Sequence, residues 1–213
     1  MKRKPSQRCF RMFLLGVFIV PVIHRSVAES IHSEAQAQGA QLASISTSHD
    51  FDFLIGKWVV HHRKLKHRLA HSDDWEMFSG TCEMRTLLDG SANVDDNLLQ
   101  APEGMYCAAS LRAFDLATKM WSIWWLDSRH PTQLDVPVVG GFRDGVGTFF
   151  ANDTWEGRPI RVRFIWFDIT QNSARWQQAF SLDDGKTWET NWIMDFTRAA
   201  YKRDAGTSTA EHH

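Results

Sequence analysis

Seven charged residues have the side chains for general acid–base work: Glu83, Arg85, Asp95, Asp96, Asp127, Arg129 and Asp153. Such chemistry needs two of them to converge in a cavity, one with a shifted pKa, whereas charges on strands more often face solvent. A histidine run, His61, His62, His67 and His71, raises metal binding. On an extended strand His61 and His67 share a face but stand about 20 Å apart, at about 3.3 Å per residue, too far to hold one ion. Arg63, Lys64, Lys66 and Arg68 would also repel a cation, so this stretch reads as a solvated basic strand or loop and no metal is expected. The third chemistry is stacking. Ten tryptophans lie between Trp58 and Trp192. Each offers a broad apolar face and one N–H, enough to pack a core or to wall a cavity for a ring-bearing ligand. No G-x-S-x-G, nucleotide loop or H-E-x-x-H motif is present, and nothing implies a cofactor.

These residues sit in segments of alternating pattern. Ile160, Val162, Phe164 and Trp166 share one face against Arg161 and Arg163. Trp176, Gln178 and Phe180 do the same, and Trp188, Thr190, Trp192, Met194 and Phe196 alternate with Glu189, Asn191 and Asp195. Period two with large apolar side chains on one side marks half-buried antiparallel strands. Asp89-Gly90, Asp144-Gly145, Glu156-Gly157 and Asp184-Gly185 supply hairpin tips, and residues 101–104 and 115–118 longer loops. Between these marks lie about ten strands, starting near Trp58, Trp75, Ala92, Met105, Met120, Val136, Val146, Pro159, Ala174 and Thr187. With no helix long enough to cross over, the expectation is all-β, a single antiparallel up-and-down barrel whose closure removes exposed edges. A short helical turn through Phe51, Phe53 and Leu54, capped by Ser48 or Asp50 and ended by Gly56, would plug one end.

Residues 1–28 read as a secretory signal peptide. Lys2, Arg3, Lys4, Arg8 and Arg11 precede an apolar run, residues 12–23, and Ser26-Val27-Ala28 offers a cleavage site. The run is too short to span a bilayer, which needs about 20 residues. The expectation is an exported protein, periplasmic or extracellular, with no membrane association after cleavage. Six of the 24 basic residues and none of the 25 acidic ones precede Glu29, so the mature chain carries a formal charge of −7. That argues against a nucleic-acid partner. Residues 29–48 read as a flexible linker, 49–200 as the barrel and 201–213 as a disordered tail. No feature bears on the oligomeric state. Cys82 and Cys107 fall at one height on strands two apart, with Cα atoms nearly 10 Å from each other at about 4.8 Å per strand. A disulfide needs about 7 Å or less, so two separate thiols, buried or half-buried, are expected.

In a closed meander the first strand, opened by Gly56-Lys57-Trp58, pairs with the last, closed by Arg198. The guanidinium would then lie over the Trp58 indole at the barrel base, a structural role for all three. Residues 51–58 (FDFLIGKW) with the terminal Met194-Asp195-Phe196-Thr197-Arg198 resemble the calycin superfamily of lipocalins and fatty-acid-binding proteins. Residues 50–58, 121–129, 153–166 and 173–196 resemble more closely an exported bacterial domain-of-unknown-function family, number 1579. The resemblance runs over about 150 residues and implies a lipocalin-like fold without an activity to carry over. The neighbouring nitrobindins bind haem through a late histidine, but none lies between His130 and the tail residues His212 and His213. Residues 181–188 (SLDDGKTW) match one Asp-box of the sialidase propellers. A propeller would need several, so the motif reads as a hairpin tip.

The sequence therefore favours a binding protein with a small, apolar or aromatic ligand inside the barrel. By parity the inward residues are Trp166, Trp176, Gln178, Trp188, Thr190, Trp192 and Met194, with Gln178 and Thr190 orienting the ligand. An enzyme, a hydrolase or isomerase using carboxylate and arginine groups at the mouth, is the alternative and predicts titratable side chains facing the lumen. A third reading is a barrel filled by its tryptophans and acting through its surface.

Overall fold

The alternating segments become ten antiparallel strands in the computed structural model, which describes residues 46–200. They are β1 (Gly56–Leu65), β2 (Trp75–Leu87), β3 (Ala92–Ala101), β4 (Gly104–Asp115), β5 (Met120–Asp127), β6 (Val138–Arg143), β7 (Val146–Trp155), β8 (Arg158–Phe167), β9 (Ser173–Ser181) and β10 (Glu189–Arg198). Every strand begins within two residues of its expected start. Each pairs with the next, and β1 pairs with β10, so the sheet closes with no free edge. The proposed signal peptide, the linker up to residue 45 and the tail lie outside the described residues.

A meander gives the barrel two unlike ends. At the base, Phe51 and the short 3₁₀ turn Asp52–Leu54 drive aromatic side chains into the lumen. The Phe51 ring stands edge-on to Trp121 and Phe142, each 5.0 Å between centroids. Neither Ser48 nor Asp50 caps this turn: its N-cap is Phe51, with no side-chain hydrogen bond. The Asp50 carboxylate instead reaches back to the Thr47 N–H at 2.8 Å and to the Ser46 hydroxyl. Ser46 and Thr47 are also tied to the barrel wall. Thr47 O accepts from Trp121 Nε1 at 3.0 Å, and Ser46 Oγ accepts from the Phe142 N–H at 3.2 Å.

Closure is fastened at the same end. Trp58 faces Arg198 in register, with the guanidinium 4.1 Å from the indole centroid. Arg198 donates to Phe53 O (2.7 Å), Ile55 O (2.8 Å) and Gln171 O (2.7 Å), and Trp58 Nε1 donates to Leu54 O at 2.7 Å. Gly56 has φ +103°, and a Cβ there would lie 3.3 Å from the Arg198 guanidinium, so glycine serves both the turn and the contact.

The opposite end is the mouth, ringed by residues 66–74, 102–103, 128–137, 156–157 and 182–188. The 101–104 connection is tighter than expected, since Ala101 pairs directly with Gly104. Register is thinnest between β5 and β6, with three paired positions, and there the longest mouth loop leaves the barrel wall. Residues 181–188 form a knotted tip. Ser181 Oγ accepts from the Gly185 N–H (2.8 Å), the Asp183 carboxylate accepts from the Thr187 N–H and hydroxyl, and Trp188 Nε1 donates to Gly185 O. The cysteines are unpaired, with Cys82 opposite Asn97 and Cys107 opposite Leu98. Cys82 is buried, but Cys107 is exposed rather than buried or half-buried, because one residue of offset turns it to the outer face.

Candidate ligand-binding site

Residues paired across neighbouring strands share a face, so one inward residue fixes the rest. Trp58 pairs with Cys82, Cys82 with Asn97, Asn97 with Ala108 and Ala108 with Asp127. On this inner face Asn97 and Asp127, together with the indole-bearing faces of β8 to β10, line a cavity of about 680 Å³. It reaches from Trp166 and Phe196 near the base to Lys64, Arg68 and Arg129 at the mouth.

One wall carries a buried ion pair. Arg112 on β4 donates to the Asp95 carboxylate on β3 at 2.6 Å, with both side chains almost wholly buried. Asp95 also accepts from Asn97 Nδ2 (2.5 Å) and the Ser110 N–H (2.8 Å), and Arg112 reaches Asn93 Oδ1 at 3.2 Å. Those bonds offset the desolvation of two charges, without which such a pair would be costly. The guanidinium also lies 5.1 Å from the Phe51 ring and 5.9 Å from that of Trp166, tying the polar wall to the plug.

The other walls are aromatic. Trp192 stands edge-on to Trp125 at 5.9 Å and to Trp176 at 5.7 Å, while Trp155 leans on Phe180 at 5.5 Å. Trp192 Nε1 donates to His62 Nδ1 at 3.2 Å, and the imidazole stacks flat on Phe78 at 4.6 Å. Burial, with help from Lys64 and His61, pushes His62 down to about 4, so it stays neutral with its proton on Nε2. His62 therefore departs from the solvated-strand reading of the histidine run, while His61, His67 and His71 are exposed. Gly80 makes the room: a Cβ there would meet Leu98 O at 2.5 Å and His62 Nε2 at 3.0 Å. Among the described residues no three His, Cys, Asp or Glu side chains are placed to hold a metal ion.

At the mouth Arg129 chelates Asp127 (2.6 Å at the closest), approaches Glu103 at 3.7 Å and lies 3.7 Å over the Tyr106 ring. The Asp127 carboxyl is consequently held below the usual carboxylate range by Arg129, against the opposing pull of burial. Asp135 goes the other way, raised by burial and by neighbouring Asp153 and Asp127. Lys64 and Arg68 lie on aromatic faces: Lys64 Nζ is 4.5 Å from the Trp192 centroid, and the Arg68 guanidinium 4.7 Å from that of Trp155.

Of the residues expected to face inward, Trp166, Trp176, Gln178, Trp192 and Met194 line the cavity, whereas Trp188 and Thr190 do not. The reason is a bulge: pairing with β9 slips between Thr190 and Trp192, so Asn191 and Trp192 are both buried and parity reverses before them. Asn191 then receives Gln178 Nε2 at 2.8 Å, the partner role assigned to a ligand in the sequence reading. Trp188 packs outside, 4.4 Å under the Arg163 guanidinium. Asp95, Asp127, Arg129 and Asp153 line the cavity, while Glu83, Arg85 and Asp96 are exposed. Lys64, Arg68, Asn97, Arg112, Trp125 and Trp155 were not foreseen. Carrying register outward from Trp58 strand by strand is the signal that would have found Asn97 and Arg112.

A closed ten-strand meander plugged at one end and hollow at the other defines the class by its fold: a lipocalin-like barrel. The S-type phycobiliprotein lyase CPES from Guillardia theta shares it, with a TM-score of 0.53 at 12% identity over 75% of this chain and 96% of that one. The structure of EF1p2_mFAP2b bound to DFHBI superposes at a TM-score of 0.41 with 9% identity, over 72% of this chain and 100% of the other. Neither a family model nor a curated protein matches the chain.

Proposed function

We propose that this is an exported lipocalin-like protein that holds one small, largely aromatic ligand in its barrel, and that it groups with the exported family numbered 1579. The observation behind the binding reading is the cavity itself. Its volume of about 680 Å³ lies within the range of small-molecule sites, about 300–1,000 Å³. Five indoles line it, Trp125, Trp155, Trp166, Trp176 and Trp192, with Trp125 and Trp176 edge-on to Trp192. A barrel filled by its tryptophans would leave no such space.

A panel of aromatic compounds, followed by tryptophan fluorescence, tests the reading. Quenching or a blue shift is expected with at least one compound, lost in Trp192→Ala while circular dichroism stays native. A broad panel that moves neither fluorescence nor melting temperature overturns it.

One observation favours an enzyme instead. Asp135 lines the mouth with desolvation and the nearby Asp153 and Asp127 raising its carboxyl above the ordinary value, the direction a general acid needs. That reading requires turnover of a bound compound, and loss of turnover with binding retained in Asp135→Asn.

A further inference from the structure

We infer that the ligand is an organic anion, a carboxylate or sulfonate on an aromatic body, with its charged group seated at the cavity mouth between Lys64 and Arg68. This rests on the binding reading above and adds the ligand's chemical class.

The four cations that line the cavity fall into two pairs. Arg112 is neutralised by Asp95, and Arg129 by Asp127 and Glu103. Lys64 and Arg68 have neither a carboxylate within ion-pair distance nor a hydrogen-bond acceptor among the described residues. Their partners are ring faces: Trp192 for Lys64, and Trp155 and Phe180 (5.6 Å) for Arg68. Both are more than half withdrawn from water, where an unpaired charge is expensive. Of the acids whose charge reaches them, Glu103 pairs with Arg129 and Glu189 accepts from the Leu69 N–H at 2.5 Å, while Glu76 stands opposite Lys64 across β1 and β2 without closing to ion-pair distance.

A third donor stands with them. Trp155 Nε1 is buried without an acceptor, on the ring that Arg68 covers. Lys64, Arg68 and Trp155 therefore line the cavity together, from β1, the 66–74 loop and β7. An anionic group would accept from all three while its apolar body lies along Trp192 and Trp155. Asp127, Asp135 and Asp153 line the same mouth and would repel that group, which leaves the Lys64–Arg68 side as its seat.

Lys64 makes the seat pH-sensitive. Around it stand Arg68, Arg129 and His62 as cations or potential cations, and Glu76 and Glu103 as acids. Burial and the two arginines hold its ammonium down to about 8. An anion beside it raises that value, so binding takes up a proton in the alkaline range.

The test uses two probes of one shape: 8-anilinonaphthalene-1-sulfonate, an anion, and N-phenyl-1-naphthylamine, which is neutral. The wild-type chain should prefer the anion by roughly tenfold or more, the scale of one charge-assisted contact. In Lys64→Met/Arg68→Met that preference should collapse toward one, and Lys64→Gln/Arg68→Gln repeats the measurement should the first variant unfold. On the wild type alone, anion affinity should fall as pH rises from 8 to 10 and the neutral probe should show no such slope. Equal affinity for both probes, or a preference that survives both variants, overturns the inference and leaves the binding reading standing. Binding of neither probe to folded protein overturns both.

Discussion

Trp58 and Arg198 meet because a meander that closes on itself sets its first and last strands side by side. The indole is fully buried in the core, and truncating it opens a cavity under the plug. Trp58→Ala should therefore cost about 3–5 kcal/mol of unfolding free energy in urea titration. Arg198→Ala should cost less, about 1–3 kcal/mol, through one stacked contact and three carbonyl bonds at a half-exposed site. An unchanged midpoint for Trp58→Ala would refute the fastening. His62 makes a second residue-scale prediction. Burial holds its folded pKa down to about 4, below the ordinary imidazole value of 6.5, so between these pH values the unfolded chain binds the extra proton. Stability from this group is full above pH 6.5 and declines as pH falls, by about 3 kcal/mol at pH 4. Urea titrations at pH 7, 5.5 and 4 should give a shallower slope for His62→Gln. Protonation would also place a hydrogen on Nδ1, the atom that receives Trp192. The Trp58–Arg198 contact was readable from strand ends alone. The His62 burial was not, because four basic neighbours in sequence hide one inward-pointing imidazole.

At the scale of the strand, parity is only as good as its continuity. The face of β8 could be read directly from Ile160 to Phe164 and that of β9 from Ala174 to Trp176, where apolar and charged residues alternate. On β10 the bulge at Asn191 inserts one residue, and the alternation of Trp188, Thr190 and Trp192 looked the same with or without it. On β3 and β4 the difficulty was composition: Asp95, Asn97, Ser110 and Arg112 point inward while Val94, Leu98 and Leu111 sit on the outer side. Hydrophobicity alone assigns those faces backwards, whereas turn-derived register does not. That register also fixes the thiols. In native, non-reducing buffer one thiol per mature chain, Cys107, should react with a bulky reagent, and in denaturant two should, Cys9 having left with the proposed signal peptide. Burial pushes the Cys82 thiol well up, which makes it inert as well as hidden. No reactive thiol in denatured monomer would mean a disulfide and a wrong strand order.

For the molecule as a whole, the polar work is gathered at one end and the apolar sealing at the other. Aromatic packing of Phe51, Phe142, Phe149 and Trp121 closes the base, while charged loops ring the mouth. If the chain is exported as proposed, N-terminal sequencing of secreted material should begin at Glu29, and an intact Met1 would contradict it. The fold class was legible because turn chemistry recurs at regular intervals. The cavity's chemistry was not, because it depends on which cations lack partners, a property of the closed barrel rather than of any stretch of chain.

Both ends of the barrel segment emerge at the foot. Ser46 docks on β6, and Ala199 donates to Lys57 O beside the first strand. A cup held by its foot can be gripped without covering its rim. A fluorescent reporter, an affinity tag or a surface linker joined at either end of residues 46–200 should leave the mouth clear. The ends should also be near enough to splice, which would allow new termini to be opened elsewhere in the meander, at the 116–119 loop for instance, without cutting the wall that carries the indoles.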